Sequence, residues 1–251
     1  MSTTFARIPS SENLHDRVTR LLAVRVLEAE RDSQELVFPN EADLCQQLGV
    51  SRTILREAMK VLAAKGIVEV RPRSGTRANP RTLWNLLDPE ILTWQSQLGP
   101  DARFLRDMCE VRLAIEPIAS GFAALRATAD EIAIIGHCLE QREAKAATVH
   151  LDEAVDLDLQ FHASVVGACH NLLLEQLSAA IRQPFRTALS YTNRLPGSDA
   201  LGLAIHRDLY EAISRRDPLK ARAAAEELVG LAMLFVEQVI QMSLKPATAE
   251  A

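Results

Sequence analysis

No apolar run in this chain of 251 residues approaches the roughly 18 that a membrane-spanning helix requires. The longest in its last predicted helix, Leu231 to Val236, is far too short. Met1 to Ser10 also lacks the basic-then-apolar pattern of a secretory leader. Together these absences predict a cytoplasmic protein with no membrane partner. Cys45, Cys109, Cys138 and Cys169 form no Cys-x-x-Cys pair and are widely spaced. Buried, reduced thiols are therefore expected, not a disulfide framework. No two side chains stand out as a general acid and base, so nothing points first to an enzyme. The chain has no excess of positive charge either: its formal net charge is −5.

That negative charge is unevenly spread. Residues 1–80 hold 12 Lys+Arg against 10 Asp+Glu, and the remainder holds 16 against 23. Between positions 52 and 77, Arg52, Arg56, Lys60, Lys65, Arg71, Arg73 and Arg77 are opposed only by Glu57 and Glu69, a local +5. Phosphate binding needs such a patch, not a basic whole.

The patch falls in a recognisable order of elements. Leu14 to Glu30 keeps helical apolar spacing through Leu14, Val18, Leu21, Leu22 and Val26. Asn40 is a good N-cap for a short helix over Glu41 to Leu48, Glu41 and Asp43 suit its positive end, and Gly49 stops it. Ser51 caps a third helix from Arg52 to about Lys65, with Leu55, Ala58, Met59 and Leu62 as its buried stripe. Gly66 ends that helix. Ile67 to Val70 reads as a short strand, and Arg71 to Arg77 as a basic, Gly-containing turn. A capped short helix, a Gly turn, an arginine-bearing helix and a basic hairpin together make a winged helix-turn-helix. Its second helix enters the major groove by its N-terminal residues, and the wing reaches phosphates or the minor groove.

Residues 38–76, from Phe38-Pro39-Asn40-Glu41 through Val50-Ser51-Arg52-Thr53-Ile54-Leu55-Arg56-Glu57-Ala58 to Lys65-Gly66-Ile67-Val68, closely resemble the DNA-binding domain of GntR-family regulators. The resemblance implies that Ser51, Arg52, Thr53 and Arg56 contact double-stranded DNA, with Arg73 and Gly75 in the wing. It also implies a homodimer on a palindromic operator. Many members of that family carry arginine where this chain has Ala42, so one expected DNA contact is missing.

Ala78 to Arg81 is a Pro- and Asn-bearing joint, which predicts domains at 1–80 and 81–251. Both tryptophans follow, Trp84 and Trp94, flanking an Asp88-Pro89 helix start. They are expected to pin this segment to a domain surface. Beyond Asp101 the chain reads as helices over 101–127, 129–147, 150–168, 171–192, 198–215 and 217–243, an antiparallel all-helical bundle. Asp158 and His162 lie four apart on one helix face, and His206 sits on a later helix. Two helices of a bundle can supply such carboxylate and imidazole groups to a divalent cation such as zinc. The same Asp-x-x-x-His spacing suits a helix-surface ion pair.

The C-terminal part resembles the FCD ligand-binding domain of the FadR subfamily, from Glu110-Val111-Arg112-Leu113-Ala114-Ile115-Glu116-Pro117 through Asp158-Leu159-Gln160-Phe161-His162 to His206. That resemblance implies a central pocket where a divalent metal on Asp158, His162 and His206, with Arg112, holds a carboxylate effector. Leu228 stands where metal-binding relatives usually have a third histidine. The segment 84–94 is similar to the same region in regulators of sugar-acid use, which implies a sugar-acid effector. Arg186, Tyr191 and Asn193 are further candidates for its hydroxyls. The expected mechanism is a repressor of sugar-acid catabolism released by its effector. A metal-dependent enzyme on a small carboxylate and a ligand-independent DNA binder are the competing readings. Turnover of sugar acids would reveal the first, and indifference of thermal stability to any carboxylate the second.

Overall fold

The computed structural model describes residues 14–71, 75–99, 101–145, 151–195 and 198–244. The chain divides into two compact units, Met1–Leu98 and Gly99–Ala251.

The first unit is a winged helix. Its first helix, α1 (Leu14–Arg31), buries Val18, Leu22, Val26 and Leu27 on one face. In the second, α2 (Glu41–Leu48), the Asn40 side chain accepts from the Asp43 backbone N–H, and Gly49 closes the end in the left-handed region at φ 64°. Ser51 caps α3 (Arg52–Ala64), whose buried residues are Leu55, Ala58, Met59 and Leu62 as the spacing predicts. The wing is an antiparallel pair, β1 (Val68–Arg71) and β2 (Gly75–Ala78), in register from Val68↔Ala78 to Arg71↔Gly75. Within β1 only Val68 is buried, so the hairpin hangs from the core by its base and leaves its outer end to solvent.

The segment after the wing belongs to this unit, although the sequence reading drew its boundary at 80. A 3₁₀ turn (Arg81–Leu83) leads to α4 (Pro89–Gln97), capped by Asp88. Trp84, Ile91 and Trp94 are buried in the same cluster as Val26, Leu55, Leu62 and Ile67. The end of α3 holds the segment down. Lys65 Nζ lies 2.6 Å from Asp88 Oδ2 and 2.8 Å from Glu90 Oε2, and the Lys65 carbonyl accepts from Asn85 N–H at 2.9 Å. Gly66 is at φ +77°, and a Cβ there would fall 2.1 Å from the Leu83 carbonyl oxygen. Only glycine permits that approach. The two tryptophans therefore fill a core rather than pin a surface.

Among the described residues the second unit is all helical: α5 (Ala102–Arg126), α6 (Ala129–Lys145), α7 (Leu151–Gly167), α8 (Leu172–Ala180), α9 (Arg182–Thr192), α10 (Ser198–Ser214) and α11 (Pro218–Leu244). The single helix expected over 171–192 is two, α8 and α9, broken at Ile181. Pro184 explains the break, because it has no N–H to offer the carbonyl four residues back and its ring crowds that carbonyl. Small residues line the contact of α5 with α11, where Ala119, Ala123, Ala124, Ala221 and Ala225 are buried. They let the two helices approach closely, and Phe161 fills the centre of the same cluster. A second cluster of Leu105, Met108, Leu159, Phe185, Leu189 and Val236 closes the other part of the bundle. Between these apolar layers lies a set of buried polar side chains.

Candidate functional site

Two sites emerge, one in each unit. On the winged helix, Arg52, Thr53 and Arg56 are exposed at the N-terminal end of α3. Ser51 beside them is occupied locally, its Oγ accepting from Ile54 N–H at 3.4 Å. Glu41 on α2 reaches across: Arg56 Nε donates to Glu41 Oε2 at 2.9 Å, and Arg52 Nε lies 3.8 Å from Oε1. The Glu41 carboxylate raises the pKa of the Arg56 guanidinium above its usual value, by hydrogen bond first and by charge second. It also holds the two arginines side by side. Gly75 opens β2 at φ +85°. Arg73 lies outside the described residues. Ala42 is exposed on α2 and offers no donor.

In the helical unit, Asp158 and His162 from α7 and His206 from α10 are all buried, and one ligand atom from each lies within 4.8 Å of the others. Their environment fixes which nitrogens can bind. His162 Nδ1 is 3.0 Å from Glu116 Oε2, and the ionised carboxylate can only accept, so Nδ1 carries the proton. His206 Nδ1 is 2.6 Å from the Gly202 carbonyl oxygen, which again can only accept. In the neutral rings both Nε2 lone pairs therefore turn to one carboxylate, at 3.8 Å from Asp158 Oδ2 for His162 and 3.2 Å from Oδ1 for His206. Asp158 Oδ1 and His206 Nε2 are buried without an aligned hydrogen-bond partner. In that tautomer their 3.2 Å contact sets two acceptors face to face. A cation between them converts that repulsion into ligation, and the acceptors behind each Nδ1 are the usual orienting groups of metal-bound imidazoles. The residues present fit a divalent metal of the nitrogen- and oxygen-binding kind.

The surrounding charges act the same way. Burial pushes the Asp158 carboxyl up, but Arg142, then His206 and His162, outweigh it and hold it well below the usual carboxylate range. Burial likewise opposes ionisation of Glu116, and Arg112 and His162 overcome it, holding its carboxyl down to about 2. Burial and the Arg142 charge lower His206 to about 4. The cluster thus presents ionised carboxylates and a neutral His206 imidazole at ordinary pH, the forms that bind metal.

Arg112 and Glu116 come from one face of α5, four residues apart. Arg112 Nε donates to Glu116 Oε1 at 2.6 Å and Nη2 to Oε2 at 3.3 Å, while its guanidinium lies 3.5 Å over the Phe185 ring. Arg112 borders the cavity, yet its Nε edge is already committed to Glu116. Asn193 also borders the cavity, and its Nδ2 is buried without a partner. Arg186 and Tyr191 do not line it. Arg186 pairs instead with Asp156, and a Cβ built on Gly99 would lie 3.7 Å from the Tyr191 hydroxyl. Leu228 lines the cavity beside the three candidate ligands, so the position of the absent histidine does face the site. Sequence reasoning missed Arg142, whose Nη2 is 2.8 Å from Asp158 Oδ1, and Glu116, which orients His162. Arg142 stands outside the quoted motifs, and Glu116 lies within the Glu110–Pro117 stretch but far in sequence from the Asp158–His162 pair it supports. Only the Arg-x-x-x-Glu spacing of 112 and 116 hinted at the second. The cavity itself measures about 40 Å³, room for a few waters and well short of the roughly 300 Å³ or more of an ordinary small-molecule site. A separate recess of about 190 Å³ ends on Glu116 and His162.

A DNA-reading winged helix carried with a helical unit built around a buried polar cluster defines a class, that of DNA-binding transcriptional regulators. Residues 14–77 match the gntR family of bacterial regulatory proteins, and residues 107–230 match the FCD domain. The chain belongs to the GntR family and carries the FCD domain characteristic of its FadR-like subfamily. It is similar to the galactonate operon transcriptional repressor of Escherichia coli K12, 34% identical over 195 residues, 76% of this chain and 83% of that protein. It is also similar to the uncharacterised HTH-type transcriptional regulator YieP of the same organism, 28% identical over 91% of this chain and 98% of that protein. The solved structure of Lar, which controls the agr system of Listeria monocytogenes, shares the fold at TM-score 0.59 and 17% identity. That match covers 92% of this chain and 99% of Lar. The family and its relatives are DNA-binding regulators rather than enzymes. No helix among the described residues is long and apolar enough to cross a membrane.

Proposed function

We propose that this chain is a dimeric repressor of a sugar-acid catabolic operon, released from a palindromic operator when its helical unit binds a carboxylate effector. It acts in the cytoplasm, where its operator is. The observation that carries the reading is the convergence of two imidazole lone pairs and a carboxylate on one buried point, bordered by Arg112, Arg142 and Asn193. Kinship with a galactonate operon repressor supports the sugar-acid class. Asp158, His162 and His206 would hold a divalent cation such as zinc, with Glu116 and the Gly202 carbonyl orienting the two rings. The metal, when bound, supplies an electrophilic point for a carboxylate or hydroxyl oxygen of the effector. Leu228 contributes no fourth ligand, so coordination positions stay open to the effector. Arg112 supports the site through Glu116, and Asn193 Nδ2 is a free donor for an acid or hydroxyl oxygen.

The cavity is too small for a six-carbon acid without rearrangement. Effector binding must therefore favour a wider arrangement of the bundle, and the response can be no larger than the effector's differential affinity for the two arrangements. On the winged helix, Ser51, Arg52, Thr53, Arg56 and the wing residues Arg73 and Gly75 form the DNA-contacting set.

The test is an operator-binding titration of the full chain with a panel of sugar acids. One acid should weaken operator binding, and Asp158→Ala should abolish that response while leaving DNA affinity in place. An operator affinity that no carboxylate changes overturns the effector class. An Asp158→Ala protein that still responds in full overturns the site.

A further inference from the structure

Arg142 projects from the last turn of α6 into the cluster and is buried. Its guanidinium is the nearest cation to Asp158, with Nη2 2.8 Å from Oδ1, the same oxygen that His206 Nε2 approaches at 3.2 Å. Its other contact is contested: Nη1 lies 3.1 Å from His206 Nδ1, a nitrogen that also lies 2.6 Å from the Gly202 carbonyl oxygen and cannot accept from the guanidinium while it donates there. Asp158 Oδ1 gains no aligned hydrogen bond from the arrangement. The guanidinium is thus held by charge, without the paired, directed bonds that make an arginine–carboxylate contact strong. A guanidinium and a dication that share one carboxylate oxygen repel each other at close range in a medium of low dielectric, so the two compete for Asp158 Oδ1.

We propose that Arg142 is a built-in competitor for the metal at Asp158, displaced when the metal binds and then available to pair with the effector's carboxylate. The proposal rests on the reading of Asp158, His162 and His206 as a metal site. Arg142 neutralises Asp158 until a metal does so. The displaced guanidinium has a place to act, since Asn193 with its unpaired Nδ2, and Thr192, border the same small cavity. Metal and effector would then bind with positive coupling through Arg142, each favouring the arrangement that the other needs.

The experiment measures zinc affinity of the full chain, stripped with chelator and titrated against a chromophoric competitor, for wild type, Arg142→Met and Arg142→Lys. Arg142→Met should bind zinc about tenfold more tightly or better, with Arg142→Lys between the two. Zinc should raise the melting temperature of Arg142→Met more than that of wild type. Arg142→Met should also lose most of the effector affinity despite its tighter metal. If Arg142→Met folds only with zinc present, zinc release to excess chelator is the readout, and it should be slower than from wild type. Equal or weaker zinc binding by Arg142→Met overturns the competition while leaving the metal site standing. Absence of zinc binding in all three proteins removes the metal site, and the proposal with it.

Discussion

Gly66→Ala tests the way the segment 79–97 is locked to the recognition helix. At φ +77° an alanine is strained by about 1 kcal/mol through its backbone alone. The larger effect is steric: the new Cβ would sit 2.1 Å from the Leu83 carbonyl oxygen and 3.3 Å from Trp84 Cα. Both obstacles are backbone, and Trp84 is buried in the core, so relief requires the 3₁₀ turn to shift. That shift pulls on the bonds from Asn79 Nδ2 to the Gly66 carbonyl and from Asn85 N–H to the Lys65 carbonyl. Overpacking at such a site and the weakening of two hydrogen bonds bring the total to about 3–5 kcal/mol. Gly49→Ala is the control, because Gly49 also has positive φ but a Cβ there would meet nothing within 4 Å. Its cost should be about 1 kcal/mol. Trp84 and Trp94 are the only tryptophans of the chain, and both lie in the first unit. Urea unfolding followed by tryptophan fluorescence therefore reports that unit alone. Equal destabilisation by the two substitutions would refute the close docking of the linker onto the end of α3.

Three further outcomes follow from the two sites. Glu41→Gln releases Arg52 and Arg56 from their shared carboxylate, so affinity for unrelated DNA should rise about two- to fivefold and the ratio of operator to non-operator affinity should shrink; gel-shift titrations on both DNAs check it, and an unchanged ratio counts against a positioning role for Glu41. Metal-stripped protein should lose stability in its helical unit on acidification, followed by circular dichroism. Below pH 6.5 the unfolded chain binds a proton at His206 that the folded state refuses until about pH 4, which costs about 3 kcal/mol across that window; Glu116, held down to about 2, stabilises above pH 4.5 and that contribution is lost as pH falls towards 2. Flat stability between pH 6.5 and 4 would show that His206 is not buried as described. Leu228→His places an imidazole at the wall of the cavity beside the three candidate ligands and, on the proposed reading, should tighten zinc binding on the order of tenfold or more, measured by chelator competition, while closing a coordination position and so weakening the effector response.

Local chemistry was the readable part of the sequence. Asn40, Gly49 and Ser51 act within a few residues of themselves, so their capping roles follow from the string and appear where expected. The stripe of α3 follows from helical period, and the Asp158–His162 pair from the fact that residues four apart share a face. What the string could not supply was the identity of long-range partners. Arg142 meets Asp158 across 16 residues and His206 across 64, and nothing in its neighbourhood distinguishes it from a solvated arginine. Arg112 was assigned to a ligand by resemblance, but the local pairing with Glu116 takes up one edge of its guanidinium. Arg186, a lesser candidate for the effector's hydroxyls, pairs with Asp156. The linker failed for a related reason: Pro80 and Asn79 look like a boundary, while the contacts of Lys65 with Asp88 and Glu90 that overrule it lie across a break in periodicity.

The polar cluster is poorly explained as a device for stability. Buried ion pairs of this kind gain about as much from their mutual attraction as they lose by leaving water, and well-packed apolar residues in their place are often no worse. What they supply is a dependence on occupancy. Arg112, Glu116, His162, Asp158, His206 and Arg142 form one connected chain of contacts drawn from α5, α7, α10 and α6. Adding a dication at Asp158 would change the charge felt by every member, and the six are anchored to four different helices. Because the interior is close-packed, such a change is met by a move between discrete arrangements rather than by gradual yielding. A bundle cemented by leucines alone would be as stable and would have no means of registering a ligand.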